Sequence, residues 1–319
     1  MTSRRGVAGP PRRPVRWREV GRTTAFLSPW LVGTGLFFLY PLVTTLYLSF
    51  TRYDGFTAPE WVGGQNWSFV LHHYPFFWPA LRNTLWFVLV IVGLRVVFGL
   101  SVGMLTIKVK RGSGLLRTMF YAPYLAPPVA STLAFVFLLN PGTGPVNTIL
   151  GKLGLPEPGW FNDPHWAKPG LALLAIWGIG DLMVIFAAAL LDVPRDLYEA
   201  AELDGAGSWR RFRHITLPSI RPIILFAAVT GVIAMMQYYT EPLIAGQVAS
   251  GQIGGSGVQT EPGYPGGSTL TLPQLVYNLG FQRFDIGAAC VIAIILFAAS
   301  MAFASLLMRG SGGLLGRDD

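Results

Sequence analysis

The chain has 319 residues, of which 52% are hydrophobic and only 13% charged, with a formal net charge of +8. Soluble domains are about a quarter charged, so this composition excludes an ordinary soluble fold and points to an outer surface bathed in lipid. The positive charge is read as membrane orientation rather than nucleic-acid binding, because the basic residues are scattered among apolar runs.

Residues 1–23 form a basic leader with six Arg before residue 20. The apolar run behind it is too long for a signal-peptide core, so the leader is expected to be a disordered cytoplasmic tail. Six apolar runs, 26–50, 81–107, 119–139, 169–191, 223–246 and 285–308, reach the roughly 20 residues that a membrane helix requires. The expected fold class is an all-α integral membrane protein of six transmembrane helices over 24–308, followed by a short tail, 309–319. Pro29 and Pro41 in the first run, and Pro123, Pro127 and Pro128 in the third, predict kinks or unwound turns. Such breaks are tolerated where neighbouring helices or water satisfy the freed backbone groups.

After the first run, RYDGFTAPEWVGGQNWSFVLHHYPFFWPA is aromatic and reads as an interfacial cap. Arg95 lies inside the second run, in LVIVGLRVVFGL, where an ionisable residue is costly and needs a partner. Asp181, in the fourth run, and Glu241, in the fifth, are the acids that could pair with it. Between the third and fourth runs, NPGTGPVNTILGKLGLPEPGWFNDPHWAKP has turn signals throughout.

The stretch LYEAAELDGAGSWRRFRHITLPSIRP, Leu197 to Pro222, is densely charged between two apolar runs. Pro194 is expected to end the fourth run, and Asp196 to cap a helix with Glu199 at its third position, a capping box. Ala200, Ala201 and Leu203 continue that helix, and Gly205 turns the chain. Ser208 is expected to cap a second helix, Trp209–Ile215, ended by Leu217-Pro218. Trp209, Phe212 and Ile215 then form an apolar stripe. A positive-inside loop with an interfacial helix is one reading. Glu199, Glu202 and Asp204 favour a protein-docking surface instead, since acids contribute little to topology.

In the fifth run Gln237, Tyr238, Tyr239 and Glu241 cluster, and Glu241-Pro242 suggests an unwound turn. Beyond it comes the flexible GQIGGSGVQTEPGYPGG, then Leu272, Leu275, Val276 and Leu279 at helical spacing. These predict a short amphipathic helix at the outer surface. The single cysteine, Cys290, excludes an intramolecular disulfide and reads as a core thiol.

Lys and Arg placement orients the runs. With the N-terminus inside, eighteen fall on cytoplasmic parts, and five (Arg52, Arg82, Lys152, Lys168 and Arg283) fall outside. Both termini and the stretch 192–221 are therefore expected in the cytoplasm. There is no GxxxxGK[ST], no GxSxG and no HExxH, and His72, His73, His165 and His214 divide between opposite faces. Asn66-Trp67-Ser68 matches a glycosylation acceptor, a pattern common by chance. No catalytic constellation is visible, no metal ligand set is assigned, and no cofactor is assigned to this chain.

Glu199, Ala200, Ala201, Gly205, Ile215, Leu217 and Pro218 carry a resemblance. Their pattern (Glu-Ala-Ala, three residues, Gly, nine residues, Ile-x-Leu-Pro) resembles the EAA loop of the membrane subunits of bacterial ABC importers. LSPWLVGTGLFFLYPLVTTLYLSFTRYDGF, FYAPYLAPPVAS and GGSTLTLPQLVYNLGFQRFDIGAA look like the carbohydrate branch, similar to maltose, lactose and glycerol-3-phosphate permeases. The similarity covers about residues 24–308.

The resemblance implies a type I ABC importer permease in the bacterial inner membrane. Such a subunit pairs with a second permease, two ATPase subunits that bind ATP and Mg, and an extracytoplasmic solute-binding protein. The loop, with Trp209 and Phe212, would couple to the ATPase. Because sugars are held by hydrogen-bonding side chains and aromatic faces, Asp181, Gln237, Tyr238, Tyr239 and Glu241 become candidates for the translocation path, with structural polar pairing as the plainer alternative. Arg95 is read as a structural intramembrane charge. An importer of another solute, a secondary transporter and a membrane enzyme or scaffold are the competing readings.

Overall fold

The computed structural model describes residues 17–109, 111–251 and 262–315, with side chains over 24–109, 111–251 and 262–309. The leader up to residue 16, most of the glycine-rich GQIGGSGVQTEPGYPGG segment and the last four residues lie outside the described residues. Two compact units are present, Met1–Tyr47 and Leu48–Asp319.

In the first unit a helix runs over Trp17–Thr34, so the expected disordered tail is helical from Trp17. Pro29 lies inside this helix without interrupting it. The carbonyl it deprives of a donor, that of Ala25, accepts from the Ser28 hydroxyl at 2.8 Å. Pro41 has a larger effect. The turn before it, Gly35–Leu39, widens into a π turn, with the Tyr40 amide donating to the Gly35 carbonyl. Phe26 and Phe37 are exposed, as side chains facing lipid are.

The second unit is built around a long helix, Phe77–Lys108. Helix Gly180–Leu191 packs along its second half, and helix Arg221–Met236 packs beside both. Two-residue strands, Thr51–Arg52 and Glu60–Trp61, pair antiparallel in the aromatic segment. Contact between the first two helices depends on small residues. A Cβ added to Gly99 would lie 2.8 Å from the Leu182 Cβ, and one on Gly103 would lie 3.2 Å from the Ala187 nitrogen. Two membrane helices gain no hydrophobic effect by leaving lipid for each other, so close backbone approach through Gly-x-x-x-Gly supplies the packing.

Among the described residues three helices, Thr24–Leu48, Phe77–Lys108 and Ile286–Arg309, are each long and apolar enough to cross a membrane. Three bent pairs bring the number to six if each is one span. The prolines of the third run act as expected: Ser113–Leu125 and Pro128–Leu138 meet at 100°. The fourth run contains a 49° break between Pro164–Trp177 and Gly180–Leu191, which the sequence reading had not anticipated. The second piece begins in close contact with the third run: a Cβ on Gly180 would lie 2.7 Å from the Phe120 carbonyl oxygen and the Tyr121 Cα. The last helix continues to Leu315, so most of the expected tail 309–319 is helical.

The predicted amphipathic helix forms as Leu272–Tyr277, continued by a π turn over Asn278–Gln282. Leu272, Leu275 and Leu279 are buried against Phe77, Ala80, Ala288 and Ile292, so its apolar face packs on the chain's own helices. Thr271 and Gln274 form a capping box. Cys290 is buried, as expected.

Candidate functional site

The charged stretch folds as two helices around a glycine turn. Its first helix, Arg195–Leu203, starts after Pro194, whose extended ψ of 132° supplies the non-helical entry. Asp196 therefore lies in the first turn, and the expected Asp196–Glu199 capping box is absent. The preceding helix ends at Leu191, three residues before Pro194. Gly205 has φ +73°. The Ala206 amide donates to the Ala201 carbonyl at 2.8 Å, and the Gly205 amide to the Glu202 carbonyl at 3.0 Å. This pair of bonds is a Schellman cap, which requires a left-handed residue at that position.

The second helix differs from expectation at both ends. Ser208 is its first helical residue, and Gly207 precedes it as the cap. Leu217-Pro218 does not end it. Phe212–Thr216 widens into a π turn, the Leu217 amide donates to the Phe212 carbonyl, and the missing N–H of Pro218 is absorbed. The rod ends at Ser219 and bends by 65° into Arg221–Met236.

The expected apolar stripe forms, with the Trp209 and Phe212 rings 5.6 Å apart, but only part of it is covered. Phe212 and Ile215 pack on the cluster of Leu100, Phe186, Leu190 and Ile220. Trp209 is 71% exposed and Leu203 is 91% exposed. Glu199, Ala200 and Pro218 are exposed, while Ala201 and Leu217 are half-buried. Arg211 pairs with Glu202 across the turn, and the Tyr198 and Thr216 hydroxyls meet at 2.8 Å. The two helices are thereby fastened to each other and to the base of the bundle.

Deeper in the bundle, Nη2 of Arg95 donates to Asp181 Oδ1 at 2.9 Å and Oδ2 at 3.1 Å. Of the two expected acids, Asp181 is the partner; Glu241 makes no ion pair among the described residues. Arg95 lines two cavities. One, of about 180 Å³, includes Tyr124, Ser131, Trp177, Tyr238 and Glu241. The other, of about 200 Å³, includes Asp181, Thr230, Gly231, Ala234 and Met235. Among the described residues, neither the buried Tyr238 hydroxyl nor the Arg95 Nε has a hydrogen-bond partner. Gln237 is exposed and lines neither cavity, and the Tyr239 ring packs on Tyr277 at 5.5 Å.

The break in this helix lies at Gln237–Tyr239, between Arg221–Met236 and Thr240–Ala249. The turn expected at Glu241-Pro242 is instead the first turn of the second piece, where proline needs no intrahelical partner. Sequence reasoning also missed Thr271, whose hydroxyl donates to the Tyr238 carbonyl at 2.9 Å. Its signal was the Thr-Leu-Pro-Gln capping pattern. Among the described residues no group of three or more His, Cys, Asp or Glu is placed to hold a metal.

The described residues form an all-α multi-pass bundle with a charged two-helix loop, an arrangement consistent with a membrane permease. The chain belongs to the family of binding-protein-dependent transport system inner membrane components, which matches residues 95–311. It is 34% identical over 287 residues to the lactose transport system permease protein LacF of Rhizobium radiobacter, covering 87% of this chain and 90% of LacF. Identity is 30% over 304 residues to the sulfoquinovosyl glycerol transport system permease protein SmoG of Agrobacterium fabrum, covering 93% of each. Among solved structures, a chain of the bacterial alginate ABC transporter in complex with alginate pentasaccharide-bound periplasmic protein has a TM-score of 0.75 at 20% identity. That match covers 94% of this chain and 98% of the other, and shows the shared fold. The chain is a non-catalytic, membrane-embedded permease subunit.

Proposed function

We propose that this permease forms half of the translocation path of an ATP-driven importer of a sugar or related small solute. The proposed assembly contains a second permease, two cytoplasmic ATPase subunits and an extracytoplasmic solute-binding protein, in a bacterial cell membrane. Residues 192–221 and both termini face the cytoplasm in this reading, supported by the Lys and Arg bias of eighteen to five.

The observation that carries the reading is the loop Glu199–Pro218. It offers exposed Leu203 and Trp209 beside Glu199, and roots Phe212 and Ile215 in the bundle. Exposed apolar and aromatic residues on a charged loop suit a docking surface, where such anchors dominate binding. The buried half of the same rod delivers the displacement to helix Arg221–Met236. ATP and Mg belong to the ATPase partners.

For the solute, the cavity of Arg95, Tyr124, Trp177, Tyr238 and Glu241 offers aromatic faces and unpartnered polar groups. Sugars are recognised by that combination, and LacF and SmoG are permeases of lactose and sulfoquinovosyl glycerol transport systems. Asp181 offsets the Arg95 charge and Glu241 adds a carboxylate, so this half of the path disfavours an anionic solute. Asp181 and Tyr239 then act from the second cavity and the span break, and Gln237 from the exposed edge.

The test is reconstitution of the complete complex in proteoliposomes, with the binding protein loaded from a panel of neutral mono- and disaccharides. ATP-dependent uptake of at least one is expected. Uptake that persists without the ATPase subunits would overturn the reading.

A further inference from the structure

Tyr238 is held at both ends. Its side chain lines the cavity beside Arg95 and Glu241. Its main chain lies in the break between Arg221–Met236 and Thr240–Ala249, where the carbonyl has lost its helical donor. A freed carbonyl at membrane depth needs a partner from the protein. Thr271 supplies it, its buried hydroxyl donating at 2.9 Å.

Thr271 belongs to the segment Tyr264–Leu272, which leads into the helix Leu272–Tyr277. That segment is fixed independently to the long helix Phe77–Lys108. The Asn83 amide nitrogen donates to the carbonyls of Gly267 at 2.8 Å and Leu270 at 2.9 Å. The Leu272 amide donates to the Thr84 hydroxyl at 3.0 Å. Within the segment, the Thr269 hydroxyl donates to the Tyr264 carbonyl at 2.8 Å. Four buried polar side chains (Asn83, Thr84, Thr269 and Thr271) thus stiffen a loop that, among the described residues, makes one hydrogen bond to the span break.

We propose that Thr271 is a positioning residue that links the loop before the last span to the solute cavity through the Tyr238 carbonyl. Displacement of that loop by a docked binding protein moves Thr271, releases or shifts the Tyr238 carbonyl, and re-aims the Tyr238 ring in the cavity. The inference rests on the importer reading, which places this loop on the extracytoplasmic side. Asn83 and Thr84 tie the segment to Phe77–Lys108 on both sides of Thr271, so segment and helix shift together against the span break, and Thr271 is the joint between them.

The test uses the full complex in proteoliposomes and measures ATP hydrolysis with and without saturating sugar-loaded binding protein. In Thr271→Val, a change of nearly constant volume, the stimulated-to-basal ratio is expected to fall at least fivefold. Basal hydrolysis is expected to stay within twofold of wild type. Thr271→Ser, which restores the donor, should recover most of the ratio. Thr84→Val removes one of the two anchors to the long helix while leaving the Tyr238 carbonyl satisfied, and should keep the ratio within twofold. If the valine variant does not assemble, Thr271→Cys takes its place as a weaker donor and should give an intermediate ratio. A wild-type ratio in Thr271→Val or Thr271→Cys overturns the proposal, as does equal loss in Thr84→Val, which would mark general loosening. No stimulation in the wild-type complex overturns the importer reading instead.

Discussion

Arg95 and Asp181 join the long helix Phe77–Lys108 to Gly180–Leu191, with one guanidinium nitrogen shared between both carboxylate oxygens at 2.9 and 3.1 Å. The pair lies where two cavities share a wall, and the side chains are 18% and 27% exposed. Both helix packing and cavity charge therefore depend on it.

Removing one partner leaves the other charged in a poor solvent, which costs about 3–5 kcal/mol for a fully buried pair. Partial exposure to the cavities sets the cost here below that range. Arg95→Leu is expected to lower the yield of assembled permease and its melting temperature in detergent. Arg95→Leu combined with Asp181→Leu should recover part of the loss, and Arg95→Lys should fall between, lacking the planar donor fork. Wild-type yield and melting in Arg95→Leu alone would show the pair to be dispensable.

Gly99 and Gly103 set how closely the same two helices approach. Gly99→Leu drives a side chain into Leu182, whose Cβ is 2.8 Å from the first added atom. Overpacking of this kind costs about 1–3 kcal/mol. Since the hydrophobicity of the run only rises, insertion should remain normal while the melting temperature falls. Gly93→Leu is the control, with nothing within 4 Å of its added Cβ. Equal melting of both variants would remove the packing role assigned to Gly99.

Much of this was legible in the sequence, for identifiable reasons. Run length and hydrophobicity located the apolar segments, because a bilayer imposes one length scale. The 100° bend followed from Pro127-Pro128, and the αL turn from Gly205. The scarcity of other acids in the apolar runs narrowed the partner of Arg95 to Asp181 or Glu241, and only the structure selects Asp181. What failed were features set by neighbours. The break before Gly180 lies where Phe120 and Tyr121 pass too close for any Cβ, a contact absent from local sequence. Phe212 and Ile215 share a stripe with Trp209, yet Phe212 and Ile215 face Leu190 and Ile220. Three-residue spacing shows that side chains share a face, but not what covers it.

Asp54 gives a pH prediction outside the membrane helices. Amide donation from Thr57, then from Phe56, and the Thr57 hydroxyl hold its carboxyl below the ordinary value of 3.8. A depressed folded pKa contributes order that is present above the unfolded value and is lost as pH falls through the folded one. Protection of the Phe56 and Thr57 amides, normalised to intrinsic exchange, should be flat near neutrality and fall only below about pH 5. In Asp54→Asn the fall should vanish. An unchanged acid transition in that variant would assign it to another group.

The glycine turn of the charged loop yields the sharpest test of coupling. Gly205 has φ +73°, and an added Cβ would meet nothing within 4 Å. Any cost of substitution is therefore conformational: about 1–2 kcal/mol for an L-residue in the left-handed region, and more for a β-branched one. Relaxing that strain would break the Schellman bonds to Ala201 and Glu202 and turn the first helix away from the second. Gly205→Val should insert and fold, because no apolar run is altered, yet bind the ATPase subunits weakly and lose stimulated hydrolysis. Gly205→Asn, a residue that visits this conformation readily, should be close to wild type. Two further variants separate docking from anchoring. Trp209→Ala removes an exposed ring, so the isolated permease should melt unchanged while ATPase capture falls more than tenfold, as for an interface anchor worth at least about 2 kcal/mol. Phe212→Ala removes packing against the bundle, so the permease itself should melt at a lower temperature before any partner is added. Normal capture and normal stimulation in both Gly205→Val and Trp209→Ala would leave the loop as a solvated charged segment with no docking role.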